Sequence, residues 1–299
     1  MSKNYDDKTH AFTKDVEFFR SPELSHNIEP AFQFWTKPNT SVIRNLEHNC
    51  IVDYETTNKN SKDIVYKLNN FCHISEDFVS LDPKKTNILF AGCSVTAGEY
   101  LPKGYSWPHH LYSHMKKIIP DIGPQQILAF PGANASKIIA NIFKYVNLFG
   151  KPDYIFLMLP DMFRLYTAYE DHFSPEITYA EGATIDDLMF PFQGMYEYQM
   201  AYRNLEIFCS SLGIKLFSTS WEKCANAEME KLNFKTYRKL SYSSMKKTRF
   251  SSAIKDISED RYEHFNKKYY VYGSDKLHPG LISHINFADH FIERLKNDI

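Results

Sequence analysis

The chain has 299 residues, 43% of them hydrophobic, enough for one large α/β domain or two small ones. Its 35 Lys and Arg nearly cancel 36 Asp and Glu, giving a formal net charge of -1, so there is no global charge case for nucleic-acid binding. Five cysteines stand singly without a C-x-x-C pair, which argues against a disulfide framework and for a reducing compartment. No run approaches the ~20 apolar residues of a membrane helix. Residues 1–14 are polar and lack the apolar stretch of a secretory leader, so a cytoplasmic chain is expected. No metal-ligand cluster stands out; His109 and His110 are adjacent and do not share a helix face. Neither a metal nor a cofactor is expected. The 20 Tyr and 23 Phe fit an aromatic core and surface, or a groove for sugars and other flat ligands.

Residues 1–37 are polar with scattered aromatics (Phe18, Phe19, Phe32, Phe34, Trp35) and read as an arm packed across a core. Stretches 49–54 and 64–68 have strand character around a polar Asn-Lys-Asn-Ser run, which predicts a β-hairpin with a long loop. An Asn-rich turn follows at 69–73. Residues 1–80 are thus expected to be an extension of a single domain at 81–299.

The apolar run 87–91 predicts the first core strand. It leads into Gly92-Cys93-Ser94, with Thr96 and Gly98 just beyond. Gly92 allows a tight turn there. The turn holds Ser94 at the carboxyl end of the strand, the edge at which open α/β sheets bind ligands. A helix is predicted at 107–118, stopped by Pro120, then a strand at 126–130 running into Pro131-Gly132-Ala133-Asn134. Ile138, Ile139, Ile142, Tyr145, Val146 and Phe149 share one broad face, which predicts a helix over 134–149 ended by Gly150-Lys151-Pro152. Residues 153–159 are the clearest buried strand and end in Pro160-Asp161-Met162-Phe163-Arg164. The polar, aromatic stretch 170–193 reads as a lid or substrate-side loop. A helix at 196–212 stopped by Gly213 and a strand at 214–219 follow. Residues 222–261 turn polar and read as a partly helical insertion. Its basic cluster at 245–249 reads as a solvated face, with a phosphate or polyanion contact as the alternative. A closing helix is predicted at 281–295.

Apolar, non-alternating strands alternating with helices mean a parallel sheet covered on both faces. The expected fold is a flavodoxin-like three-layer α/β/α sandwich with a mostly parallel sheet of about five strands, plus the N-terminal β-hairpin extension.

A serine hydroxyl is a poor nucleophile until a base takes its proton. Near the C-terminus Asp275 and His278 sit three residues apart in Gly273-Ser274-Asp275-Lys276-Leu277-His278-Pro279-Gly280. A carboxylate so placed orients an imidazole and favours its charged form during proton transfer. Either segment alone is ordinary, since a serine after a strand is usually a turn or cap residue. Their order along the chain carries the signal.

Together the two segments resemble the SGNH (GDSL-type) hydrolase family from about residue 87 to the C-terminus. That family has a Gly-Asp-Ser-x-x block after its first core strand and an Asp-x-x-His block near its end. Here Cys93 stands where the family has Asp. The resemblance implies Ser94 as nucleophile, His278 as base, Asp275 as its orienting carboxylate, and backbone N–H groups of Ser94 and Gly132 at the oxyanion. The third family block, Gly-x-Asn-Asp, falls at 160–164 without its asparagine. Asp161 is the nearest match, and Arg164 or Asn134 are the candidates to replace the missing donor. The implied activity is a serine esterase removing O-acyl groups, O-acetyl on carbohydrate among them, from a small-molecule or glycan ester. An O-acyltransferase on the same serine, and a non-catalytic carbohydrate-binding or structural protein on the same fold, stay open. Cys93 is the less favoured nucleophile, because the equivalent family position points into the fold.

Overall fold

The computed structural model describes residues 41–45, 50–53, 64–101, 103–160, 162, 164–169, 172–177, 185–240 and 278–296. The arm at 1–37, most of the 222–261 insertion beyond residue 240, and the candidates Asp161 and Asp275 lie outside them.

The first elements are β1 (Ser41–Asn45), β2 (Cys50–Asp53) and β3 (Ile64–Lys67). They form an antiparallel sheet in the order β2-β1-β3. This corrects the predicted hairpin: β2 and β3 do not pair with each other, and both pair with β1. The short β1 holds only two apolar residues, Val42 and Ile43, too few for a strand signal in the sequence. The Asn-rich turn then fastens the extension to the core. Asn69 Oδ1 accepts from the backbone of Phe71 and His73, and Asn70 makes a two-way bond with the backbone of Phe78. The buried His73 pairs through Nδ1 with the backbone of Ala129 at 3.0 Å, and its ring meets Phe130 edge-on.

The core sheet begins with β4 (Ile88–Cys93), all six residues buried. The short helix α1 (Ser94–Ala97) follows directly, then α2 (Trp107–Ile118), β5 (Gln126–Phe130), α3 (Ala135–Phe149) and β6 (Tyr154–Leu159). Next come an antiparallel pair, β7 (Arg164–Tyr169) and β8 (His172–Ile177), the long α4 (Ile185–Leu212), and β9 (Lys215–Ser220). Helices α5 (Lys223–Lys231) and α6 (Leu281–Leu295) complete the described elements. β5, β4, β6 and β9 form one parallel sheet in that order. Beside β9 a single isolated parallel bridge joins Ser218 and Tyr237. The fold is therefore the expected α/β class, with four full strands in the core sheet among the described residues.

Register explains the layers. Phe90, Phe156 and Phe217 are aligned across β4, β6 and β9, and their rings stack at 5.7 and 5.2 Å. On that face Trp107 of α2 and Phe291 of α6 stack at 5.0 Å and close edge-on over Phe90 and Phe156. Because strand side chains alternate, Leu89 and Ile155 turn to the opposite face, where α3 and α4 lie. Two sequence readings are corrected. The stretch 170–193 is not one loop, since it contributes β8 and the first turns of α4. The helix predicted at 196–212 begins earlier, at Ile185, and α4 runs through Pro191 and Gly194, which by themselves would favour a break. A proline forfeits one backbone hydrogen bond, which a 28-residue helix survives when neighbouring turns keep theirs.

Candidate active site

Strand β4 runs buried through Cys93, and the backbone turns at once into α1, so Ser94 stands at the carboxyl end of the central strand. The corner needs glycine at 92: a Cβ there would lie 2.0 Å from Thr96 Oγ1 and 2.7 Å from the Met158 carbonyl. Cys93 is fully buried and occupies the cap position of α1, in keeping with its reading as an interior residue. Gly98 closes α1 in the left-handed region (φ 73°), with its N–H on the Ser94 carbonyl.

His278 arrives from the far end of the chain, three residues ahead of α6. Its Nε2 lies 3.0 Å from Ser94 Oγ. The structure thus brings together two groups separated by 184 positions, at hydrogen-bond distance and at the carboxyl edge of a parallel sheet. His278 is positioned by α6, and α6 is tied to α2 by a buried bond: the Trp107 N–H donates to His284 Nδ1 at 3.0 Å. Burial pushes the His284 imidazole down to about 3, with the nearby His110, His278 and His109 adding in the same direction. His284 is therefore a neutral acceptor. His109, whose Nδ1 meets Ser106 Oγ at 2.8 Å, is held down to about 4, by burial first and by His110 and Lys103 after it.

The other candidates are placed as follows. Gly132 follows β5 in the left-handed region (φ 75°). Asn134 is buried and caps α3, its side-chain oxygen accepting from the Lys137 N–H, so only its nitrogen could donate elsewhere. Arg164 opens β7. Among the described residues no group of His, Cys, Asp and Glu is arranged to hold a metal ion. No described helix is long and apolar enough to cross a membrane.

Sequence reasoning missed the turn at 98–101. Glu99 is buried, and its Oε2 lies 3.9 Å from His278 Nε2. Tyr100, at φ 64°, lays its ring 4.8 Å from the His278 ring. The Tyr100 N–H donates to the Tyr66 hydroxyl of β3 at 2.7 Å. A carboxylate and an aromatic behind a glycine have no pattern of their own, and only the return of residue 278 gives them meaning.

The fold and the site define a parallel α/β protein with a serine–histidine pair at the carboxyl edge of its sheet. No family model matches the chain, and no curated protein matches it. Several solved structures are similar. A protein described as lipolytic and of the G-D-S-L family, from Desulfitobacterium hafniense, is 11% identical with a TM-score of 0.41, over 70% of this chain and 99% of that one. The psychrotrophic esterase EstA from Pseudoalteromonas sp., inhibited by monoethylphosphonate, is 11% identical with a TM-score of 0.39, over 71% of this chain and 98% of that one. TesA is 10% identical with a TM-score of 0.44, over 71% of this chain and 99% of that one. Likeness at this level leaves the functional case to the chain's own residues.

Proposed function

We propose that the protein is a serine ester hydrolase acting through an acyl-enzyme. The observation that carries this reading is the 3.0 Å approach of His278 Nε2 to Ser94 Oγ at the end of the central strand. In the proposed reaction His278 takes the hydroxyl proton of Ser94 as Oγ attacks the ester carbonyl. The imidazolium then hands that proton to the leaving alcohol, and water, activated by the same imidazole, releases the acyl group. Asp275 is the proposed orienting carboxylate. Backbone N–H groups of Ser94 and Gly132 are the proposed oxyanion donors, each worth about 2.7–4 kcal/mol in such sites. An O-acyl ester of a small molecule or glycan is the proposed substrate.

The test is covalent labelling with a fluorophosphonate together with p-nitrophenyl acetate hydrolysis. Wild type is expected to label and turn over. Ser94→Ala should do neither while keeping the wild-type unfolding midpoint, and His278→Ala should be nearly inactive. Labelling or turnover that survives in Ser94→Ala would remove the proposal.

A further inference from the structure

Glu99 is a carboxylate where a carboxylate is expensive. Its side chain is 5% exposed, and burying a charge is unfavourable unless another charge or a set of donors answers it. Its place is not accidental to the serine. The N–H groups of Gly98 and Glu99 both donate to the Ser94 carbonyl, at 3.0 and 3.1 Å, so the Glu99 backbone is fixed to the nucleophile's own peptide. The next residue is held as firmly: Tyr100 sits in the left-handed region, with its N–H on the Tyr66 hydroxyl and its ring beside the imidazole. An aromatic residue rarely takes that backbone conformation without surrounding contacts that impose it.

Glu99 Oε2 stands 3.9 Å from His278 Nε2, the nitrogen that faces Ser94. That is too long for a hydrogen bond, so Glu99 leaves Nε2 to the serine and acts on it through charge. Its effect is then largest when the imidazole is positive, as it becomes when the serine proton moves to it. An interaction that strengthens in the transition state raises turnover and does not merely tighten binding. The same carboxylate stands close to the nitrogen that must protonate the leaving alcohol. A leaving group that is itself anionic would be brought against it. Of the other described groups around His278, Tyr100 contributes a ring face and His284, on α6, adds no negative charge.

We infer that Glu99 is a positioning residue for the proposed hydrolysis, stabilising the charged form of His278 and selecting esters whose leaving alcohol carries no negative charge. The inference rests on the serine-hydrolase reading. Two acetyl esters test it: p-nitrophenyl acetate, and 4-acetoxybenzoate, whose leaving phenol bears a carboxylate. Wild type should prefer the neutral ester. E99Q, close in size, should lose roughly 10- to 100-fold in kcat on p-nitrophenyl acetate with KM little changed. Its preference should also shrink to the intrinsic reactivity ratio that the two esters show in water, because the repulsion of the anionic leaving group goes with the charge. Should E99Q unfold more readily than wild type, E99D and E99N, equal in size and different in charge, pose the same question, with E99D the more active and the more selective.

The outcomes separate. A wild-type protein that neither labels with fluorophosphonate nor hydrolyses either ester overturns the hydrolase reading and this inference with it. A wild type that does both, with Ser94→Ala inactive, but with E99Q within twofold in kcat and unchanged in its preference, overturns the inference and leaves the hydrolase reading standing. A loss in E99Q confined to KM has the same consequence.

Discussion

Two side chains decide the proposed chemistry, and each is held by something stiffer than itself. Ser94 inherits its place from the backbone of β4, and His278 from the start of α6. The weak point is the oxyanion. A neutral amide is absent from the 160–164 segment, and Asn134 has its acceptor oxygen committed to the cap of α3. An ionised carboxylate at 161 would oppose the developing negative charge. Asp161→Asn is therefore expected to raise p-nitrophenyl acetate turnover, by as much as about 10²-fold if the amide reaches the oxyanion. Steady-state rates at unchanged unfolding midpoint measure this. A drop in activity would instead give Asp161 a role of its own, such as holding substrate.

At the scale of elements, the junction of β4 and α1 leaves no room for a side chain at residue 92. Gly92→Ala puts a methyl group 2.0 Å from the Thr96 hydroxyl and 2.7 Å from the backbone oxygen of Met158 on the neighbouring strand. The backbone oxygen cannot swing aside as a flexible side chain can. The substitution should cost at least about 1–3 kcal/mol, read as a lower urea midpoint, and displace Ser94 enough to depress labelling. Much of this architecture was legible in the sequence. β4, β5 and β6 are runs of largely apolar buried residues, β9 carries the apolar pair Leu216-Phe217, and α2, α3 and α6 fall on the residues their spacing and breakers predicted. What escaped had tertiary causes. β1 is a strand because two others flank it, not because Ser41–Asn45 is strongly apolar. α4 overrides the local meaning of Pro191 and Gly194. The site was legible as Ser94 and His278, because their order along the chain is informative; Glu99 was not, because its partner is 179 positions away.

For the molecule as a whole, the buried histidines set a pH limit. His284 sits near 3 when folded and near 6.5 when unfolded, the difference arising chiefly from burial. Between those values the unfolded chain binds the extra proton, so stability is intact above about pH 6.5 and falls as pH drops towards 3. Protonation would also remove the acceptor that holds the Trp107 N–H. His290, lowered to about 4 by burial and then by Arg294, and His109 act in the same direction. Denaturant titrations at pH 7.5, 6, 5 and 4.5 should show stability level at first and then declining. The contribution of His284 to that slope is about 1.4 kcal/mol per pH unit. Stability that stays flat to pH 4.5 would contradict the buried, neutral state of these rings.

The bridge between Ser218 and Tyr237 has a different kind of consequence. The Ser218 N–H donates to the Thr236 carbonyl, and the Arg238 N–H to the Ser218 carbonyl. The Arg294 guanidinium then clasps the Ser218 and Thr236 carbonyls at 2.7 Å each. A parallel sheet ending in a bare β9 would offer a row of unsatisfied peptide groups to any extended chain it met, and that is how soluble sheets begin to template fibres. Three residues and one borrowed cation cover the middle of that row. Among the described residues, a one-bridge contact and a side-chain cation thus cap part of the β9 edge that would otherwise stand open to pairing with another chain.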